Sequence, residues 1–220
     1  MVLRAISAVA LAACMVAPAL AIEGRTGIDF GENRIGLSPE KFDFAITGQG
    51  QPGRWTVVRD MTGFDGVAVE QSSDDPTENR FSLAIYKGVS LRNVAASVRL
   101  KVIKGTMQTA GIAFRFVDSA NYYVINASAL EQRVDLFRVV DGRIKRIGGT
   151  DANVVLNSWH KLGVIAADDQ FTISFDNGSL FTVFDRTFLN HGHVGLWTEE
   201  DNVARFEQLE IKSLPRWKDR

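Results

Sequence analysis

Cysteine occurs once in the 220 residues, at Cys14, and histidine three times. Cys14 lies in the amino-terminal apolar stretch, so the chain beyond it has no thiol. Disulfide staples, thiol catalysis and cysteine-ligated zinc are excluded there, and an apolar core must hold the fold. His160 follows Trp159 at the start of an expected strand and reads as structural. His191 and His193 flank Gly192 in a metal-compatible His-x-His pair, but no third ligand accompanies them. A phosphate-binding loop, a dinucleotide-binding glycine fingerprint and a G-x-S-x-G nucleophile elbow are all missing. After the first 21 residues no stretch approaches the roughly 20 apolar residues of a membrane-spanning helix. Excess charge is lacking too: Lys+Arg is 25 against Asp+Glu 26, a formal net charge of −1. That balance argues against nucleic acid or an anionic membrane as the main partner.

Apolar residues make up 45% of the chain, with 14 Phe and 4 Trp, which suffices for a substantial core and excludes a disordered or collagen-like chain. Met1 to Arg4 is a short basic start, Ala5 to Val16 an apolar run, and Ala17-Pro18-Ala19-Leu20-Ala21 ends in a small-x-small pattern. Together they read as an export signal, residues 1–21, cleaved after Ala21 to deliver the protein to the periplasm or the exterior. Leu11-Ala12-Ala13-Cys14 also resembles a bacterial lipobox, and in that alternative a diacylated Cys14 anchors the protein to a membrane. About 199 residues remain after cleavage, the size of one large domain, expected as a monomer.

Residues 22–54 are rich in Gly with little periodicity and read as an irregular lead-in packed on the domain, with one short strand near 42–46. From Trp55 to Ser213, short runs rich in β-branched and aromatic residues recur with turn signals between them, the pattern of an all-β sandwich. Strands are expected near 55–60, 66–71, 80–86, 93–104, 110–117, 121–128, 132–140, 143–149, 158–167, 170–176, 179–185, 193–198 and 203–212. Residues 214–220 read as a frayed tail. Val94, Ala96, Val98, Leu100 and Val102 share one parity, Ser97, Arg99 and Lys101 the other, as a strand with one wet side requires. Asp141-Gly142 and Asn177-Gly178 predict tight hairpins, since both dipeptides tolerate positive φ. Phe206 is out of phase with Leu209 and Ile211, which predicts a β-bulge around Glu207-Gln208.

The order Gly111-Ile-Ala-Phe-Arg115, Asn121-Tyr-Tyr123, Val134 through Gly142, Trp159-His160, Asp176-Asn-Gly178 and Gly195-Leu-Trp197 resembles the concanavalin A-like lectin/glucanase superfamily. Within it the likeness is to laminin-G-like jelly rolls and to 3-keto-disaccharide hydrolase-type domains, over about residues 55 to 212. The resemblance implies a two-sheet antiparallel jelly-roll sandwich whose concave sheet carries a carbohydrate groove. The paired-glutamate E-x-D-x-x-E motif of family-16-type glucanases is absent from the sequence, which speaks against straightforward endoglucanase activity.

Parity names the groove. With Ile112, Phe114 and Phe116 toward the core, Arg115 is expected on the open sheet face. Tyr122 and Asn126, then Arg133 and Asp135, share that side on the next two strands, and Trp197 joins them out of phase with Val194 and Leu196. Rings, amides and charges of this kind suit a saccharide, although a solvated sheet face with an Arg115–Asp135 ion pair fits the same pattern. Glu131 stands at a turn beside the face as a candidate catalytic acid, with Glu70 and Glu199 as possible companions across a sugar. No cofactor is expected. Asp74-Asp75 and Asp168-Asp169 could touch calcium but lack the spacing of a dedicated loop. Three functions stay open: a glycan-binding module, a glycoside hydrolase acting on a (3-keto-)disaccharide-like substrate, and a structural or adhesive domain.

Overall fold

The computed structural model describes residues 24–215, so the expected export signal, the Cys14 alternative and most of the tail lie outside the described residues. Every regular element is a strand. One sheet runs β13 (Gly178–Phe184), β12 (Gln170–Phe175), β11 (His160–Ala167), β6 (Val94–Lys104), β15 (Val203–Ser213), β4 (Val67–Gln71) and β3 (Trp55–Arg59), with β1 (Arg25–Ile28) also on β15. The other runs β10 (Arg143–Asp151), β9 (Arg133–Val140), β8 (Asn121–Ser128), β7 (Thr109–Asp118), β14 (Gly192–Glu199), β5 (Phe81–Leu91) and β2 (Phe42–Thr47). All pairings are antiparallel, giving the expected two-sheet sandwich.

The expected strands are present within a few residues of their places. The lead-in is less irregular than its composition implies, because β1 lies along β15 and β2 edges the second sheet beside β5. Gly24 and Ser213 are brought together there, the Ser213 amide donating to the Gly24 carbonyl at 3.1 Å. Core-phase Val94 to Val102 are buried between the sheets. The β15 bulge falls where parity placed it: register shifts between Glu207 and Glu210, Gln208 takes φ 50°, and Phe206, Leu209 and Ile211 all enter the core. At Asp141-Gly142 both residues take positive φ, as a tight β-hairpin requires. The second hairpin turns one residue earlier than expected: Phe175 pairs with Gly178, and Asp176 and Asn177 carry the positive φ.

The second sheet is apolar on both faces. Ile112, Phe114, Tyr123, Ile125 and Leu196 meet the first sheet, while Phe81, Leu83, Ala113, Tyr122, Val124, Val139 and Trp197 form a separate buried cluster on the other side. That side is enclosed by curvature. The Thr47 hydroxyl, at the far edge strand, donates to the Ser119 carbonyl at 2.5 Å and lies 2.9 Å from the Tyr122 hydroxyl, four strands away in sheet order. The sheet thus curls until the β7–β8 tip meets the end of β2.

Candidate functional site

Arg115 corrects the parity argument. Its φ is 46° and the β7–β8 register shifts between Phe114 and Asp118, so Phe114 stays in the main core while Phe116 joins the outer cluster beside Tyr122. The Arg115 guanidinium turns inward, 5.0 Å from the Phe171 ring, and donates to the carbonyls of Arg92, Phe188 and Asp168 at 3.0, 2.7 and 2.5 Å. It ties three loops together and does not pair with Asp135.

The other expected residues fall on the curled face, in two rows set by strand register. In the first, Trp197 on β14 opposes Gly111 on β7, Gly111 opposes Asn126 on β8, Asn126 opposes Asp135 on β9, and Asp135 opposes Gly149 on β10. In the second, Glu199, one step past the Thr198–Ala110 pair, adjoins Thr109; Thr109 opposes Ser128, Ser128 opposes Arg133 and Arg133 opposes Asp151. Glu131, in the turn after β8, is fixed by its amide donating to the Ser128 hydroxyl at 3.1 Å.

Trp197 is fully buried, stacked on Phe81 with ring centroids 5.2 Å apart, so its ring is no open platform. Tyr122 is buried too, and burial pushes its phenol up to about 12. What the rows offer instead is polar. Thr109 Oγ1 is buried with no hydrogen-bond partner, and Asn126, 6% exposed, makes no side-chain hydrogen bond among the described residues. Gly111 puts no side chain between Trp197 and Asn126; a Cβ there would stand 2.0 Å from the Ile125 carbonyl oxygen. Buried polar groups left unmatched cost about 1–3 kcal/mol each, a cost that a hydroxyl-bearing ligand would relieve.

The charges beside them are organised by Asp135. Arg133 Nε donates to its Oδ2 at 2.7 Å, and Arg146 Nε forms an ion pair with Oδ1 at 2.7 Å. Burial raises the Asp135 carboxyl against the pull of Arg133, and Glu131 and Asp151 push it the same way. Gly149 is required for this, since a Cβ would sit 1.7 Å from Asp135 Oδ1 and 2.9 Å from Arg146 Nη2. Glu199 is pushed up to about 7 by burial and by the neighbouring charges of Glu200 and Glu131. Glu199 thus adjoins Thr109, and Glu131 stands in the turn that follows Ser128, the partner of Thr109. Glu70 does not approach them: it accepts from Arg205 Nε at 2.7 Å on the other sheet.

Sequence reasoning missed Thr109, Ser128, Arg146 and Gly149. The parity of Thr109 with Ala113 and a glycine inside a β7 run could have flagged the notch, but the β10 register shift that brings Arg146 to Asp135 leaves no mark in composition. Among the described residues no group of three or more His, Cys, Asp or Glu could hold a metal ion. His193 Nδ1 contacts the Val89 carbonyl at 2.7 Å, and His160 lies between Asp176 and the Val155 amide. Asp75 accepts from Gln51 and Thr77, and Asp168 and Asp169 pair with Arg92 and Arg186.

No family model and no curated protein matches the chain in sequence. Solved structures do match. Carbohydrate-binding module CBM66 from Bacillus subtilis superposes with a TM-score of 0.64 at 20% identity, over 81% of this chain and 99% of that one. The cellulose-induced protein Cip1 gives 0.64 at 13%, over 86% and 97%. Domain 4 of AbnA, an extracellular arabinanase from Geobacillus stearothermophilus solved with arabinotriose, gives 0.58 at 14%, over 85% and 90%. The chain shares their concanavalin A-like jelly-roll fold. At these identities the likeness speaks for the fold alone.

Proposed function

We propose that the protein is an exported saccharide-binding domain whose ligand lies along the two rows of the curled sheet. The carrying observation is the pair of buried groups without side-chain partners, Thr109 Oγ1 and Asn126, beside a glycine notch, with Arg133 and Arg146 as donors and Glu131 and Glu199 as acceptors around them. A polyhydroxyl ligand matches donors and acceptors alternately, and sugar binding to a fixed β-sheet face needs no cofactor. Two of the fold neighbours are a carbohydrate-binding module and a domain solved with arabinotriose, which supports the same reading.

Calorimetric titration against a glycan panel tests it. Asn126→Ala is expected to weaken the best ligand at least ~10-fold, about 1.4 kcal/mol. Ile165→Ser, an exposed change on the other sheet, should leave affinity unchanged. Absence of any glycan ligand, or indifference to Asn126→Ala, rejects the reading. One observation favours a second, catalytic reading: burial and the neighbouring charges of Glu200 and Glu131 push Glu199 up to about 7, the range suited to the acid of a glycoside-cleaving pair. Turnover of a bound glycoside that disappears in both Glu199→Gln and Glu131→Gln, with binding retained, establishes it.

A further inference from the structure

The β9–β10 hairpin carries charge on both of its faces. On the curled side Arg133 and Arg146 answer Asp135. Phe137, Val139 and Ile144 share that side with them in the outer cluster, so Arg138, Val140, Arg143 and Lys145 project from the opposite one. Register sets Lys145 directly across from Arg138, and Arg143 across from Val140. With Asp141 and Thr187 these four line a cleft of about 600 Å³. Like charges directly opposed on an antiparallel pair are destabilising, so the hairpin tolerates a repulsion here.

Arg138 is fixed in place. Its Nη1 donates to Asp185 Oδ2 and to Thr187 Oγ1, each at 2.7 Å, while Asp185 Oδ1 accepts from the Tyr123 hydroxyl at 2.5 Å and from the Thr187 amide at 2.8 Å. Asp185 therefore answers Arg138, and the Nε–Nη2 edge of the guanidinium has no hydrogen-bond partner among the described residues. Arg143 and Lys145 are exposed and form no ion pair or hydrogen bond among those residues, and Asp141 is the carboxylate lining the cleft beside them. Two further charges lie nearby, outside the lining: Arg186 pairs with Asp169 at 2.7 Å, and Asp118 accepts from the Ala120 amide and Asn121. The cleft is left cationic.

We propose that this cleft is a second binding site, separate from the two rows, and that it takes an acidic saccharide. A sugar carboxylate meets the free edge of Arg138 together with Lys145, and ring hydroxyls meet Thr187 and Asp141. An arginine edge matches both oxygens of a carboxylate. A bare anion would leave Asp141 without a donor, whereas a hydroxylated acid supplies one. With a formal net charge of −1, the chain offers no broad positive field for a nucleic-acid backbone. Cations on β10, an edge strand, also guard against edge pairing. That role alone predicts no ligand.

Calorimetric titration near neutral pH with tetragalacturonate, its methyl ester and tetraglutamate separates the cases. The ester keeps the hydroxyls without the charge, and the peptide keeps the carboxylates without the hydroxyls. Tetragalacturonate is expected to bind at least ~10-fold tighter than either, with an affinity that falls as salt rises. Arg143→Gln with Lys145→Gln, two exposed changes, should remove most of that preference. Arg138→Lys, which keeps the charge and loses the fork, should weaken tetragalacturonate several-fold. Asn126→Ala, in the rows, should leave all three titrations as they were. Binding of none of the three, equal affinity for the acid and its ester, equal affinity for the acid and tetraglutamate, or a preference that survives the double glutamine variant overturns the proposal. Loss of tetragalacturonate binding in Asn126→Ala places the acid on the rows and overturns it as well. A neutral glycan panel that is silent at the rows rejects the reading above and leaves this site standing.

Discussion

Arg115 shows how much one backbone angle decides. A left-handed φ of 46° at a single residue turns its side chain from one face of β7 to the other and moves Phe116 the opposite way. The guanidinium then replaces water with three carbonyls, and lysine, a point charge with one nitrogen, cannot reach all of them. Arg115→Lys is expected to cost about 3 kcal/mol in urea denaturation, with saccharide affinity little changed in the protein that folds. Glu199 makes a prediction in pH. Its folded value of about 7 lies above the ordinary 4.5, so the folded state holds the proton more tightly. The resulting stability is fully present below about pH 4.5 and is lost as pH rises through 7. Glu199→Gln should flatten the stability profile between those values, measured as urea midpoints across the range. Parity alone could not have shown either effect, since it assumes an unbroken strand and says nothing of what lies across it.

At the scale of elements, alternation in β6 was legible: Val98 and Leu100 face the core, Arg99 and Lys101 the other side. Illegible was the loop at 60–66, which lies over that wet side and buries Lys101 and Asp60. Burial alone would raise the Asp60 carboxyl, but bonds from Lys101, Thr62 and Arg205 hold it well below the usual carboxylate range. Glu207 fixes the same loop by accepting the Phe64 amide at 2.9 Å. Asp60→Ala leaves the Lys101 ammonium buried without its partner and should cost about 3–5 kcal/mol. A Lys101→Met, Asp60→Leu double variant should recover much of that in the same denaturation assay, because desolvation is then no longer charged to either group. Inside the sandwich Phe114 touches Tyr123 and Phe171 with ring centroids 5.3 Å away in each case. Phe114→Ala should cost about 3–5 kcal/mol through lost transfer energy and a cavity.

Across the whole molecule, the strands from 42 onward, the order of turns and the two-sheet architecture were readable because period-2 patterning survives in a single sequence, while β1 was not. The candidate face was readable only in part: Asn126, Arg133 and Asp135 lie on one side of adjoining strands as parity placed them, whereas the enclosure of Trp197 follows from the sheet's curl, a property of seven strands together. The contact between Gly24 and Ser213 has a geometric outcome of its own. Gly24 and Ser213 both lie at the end of β15 opposite to the turn that joins Glu199 to Val203, a separation of roughly 30 Å at the usual rise per strand residue. A tether placed at Gly24 or at Ser213 holds the domain by the same corner, at the other end of β15 from the Glu199 end of the rows. Sensor-captured protein should therefore give one saccharide affinity whether gripped through a cysteine at Gly24 or at Ser213, and attachment through a cysteine placed at Leu130, beside Glu131, should be the orientation that abolishes it.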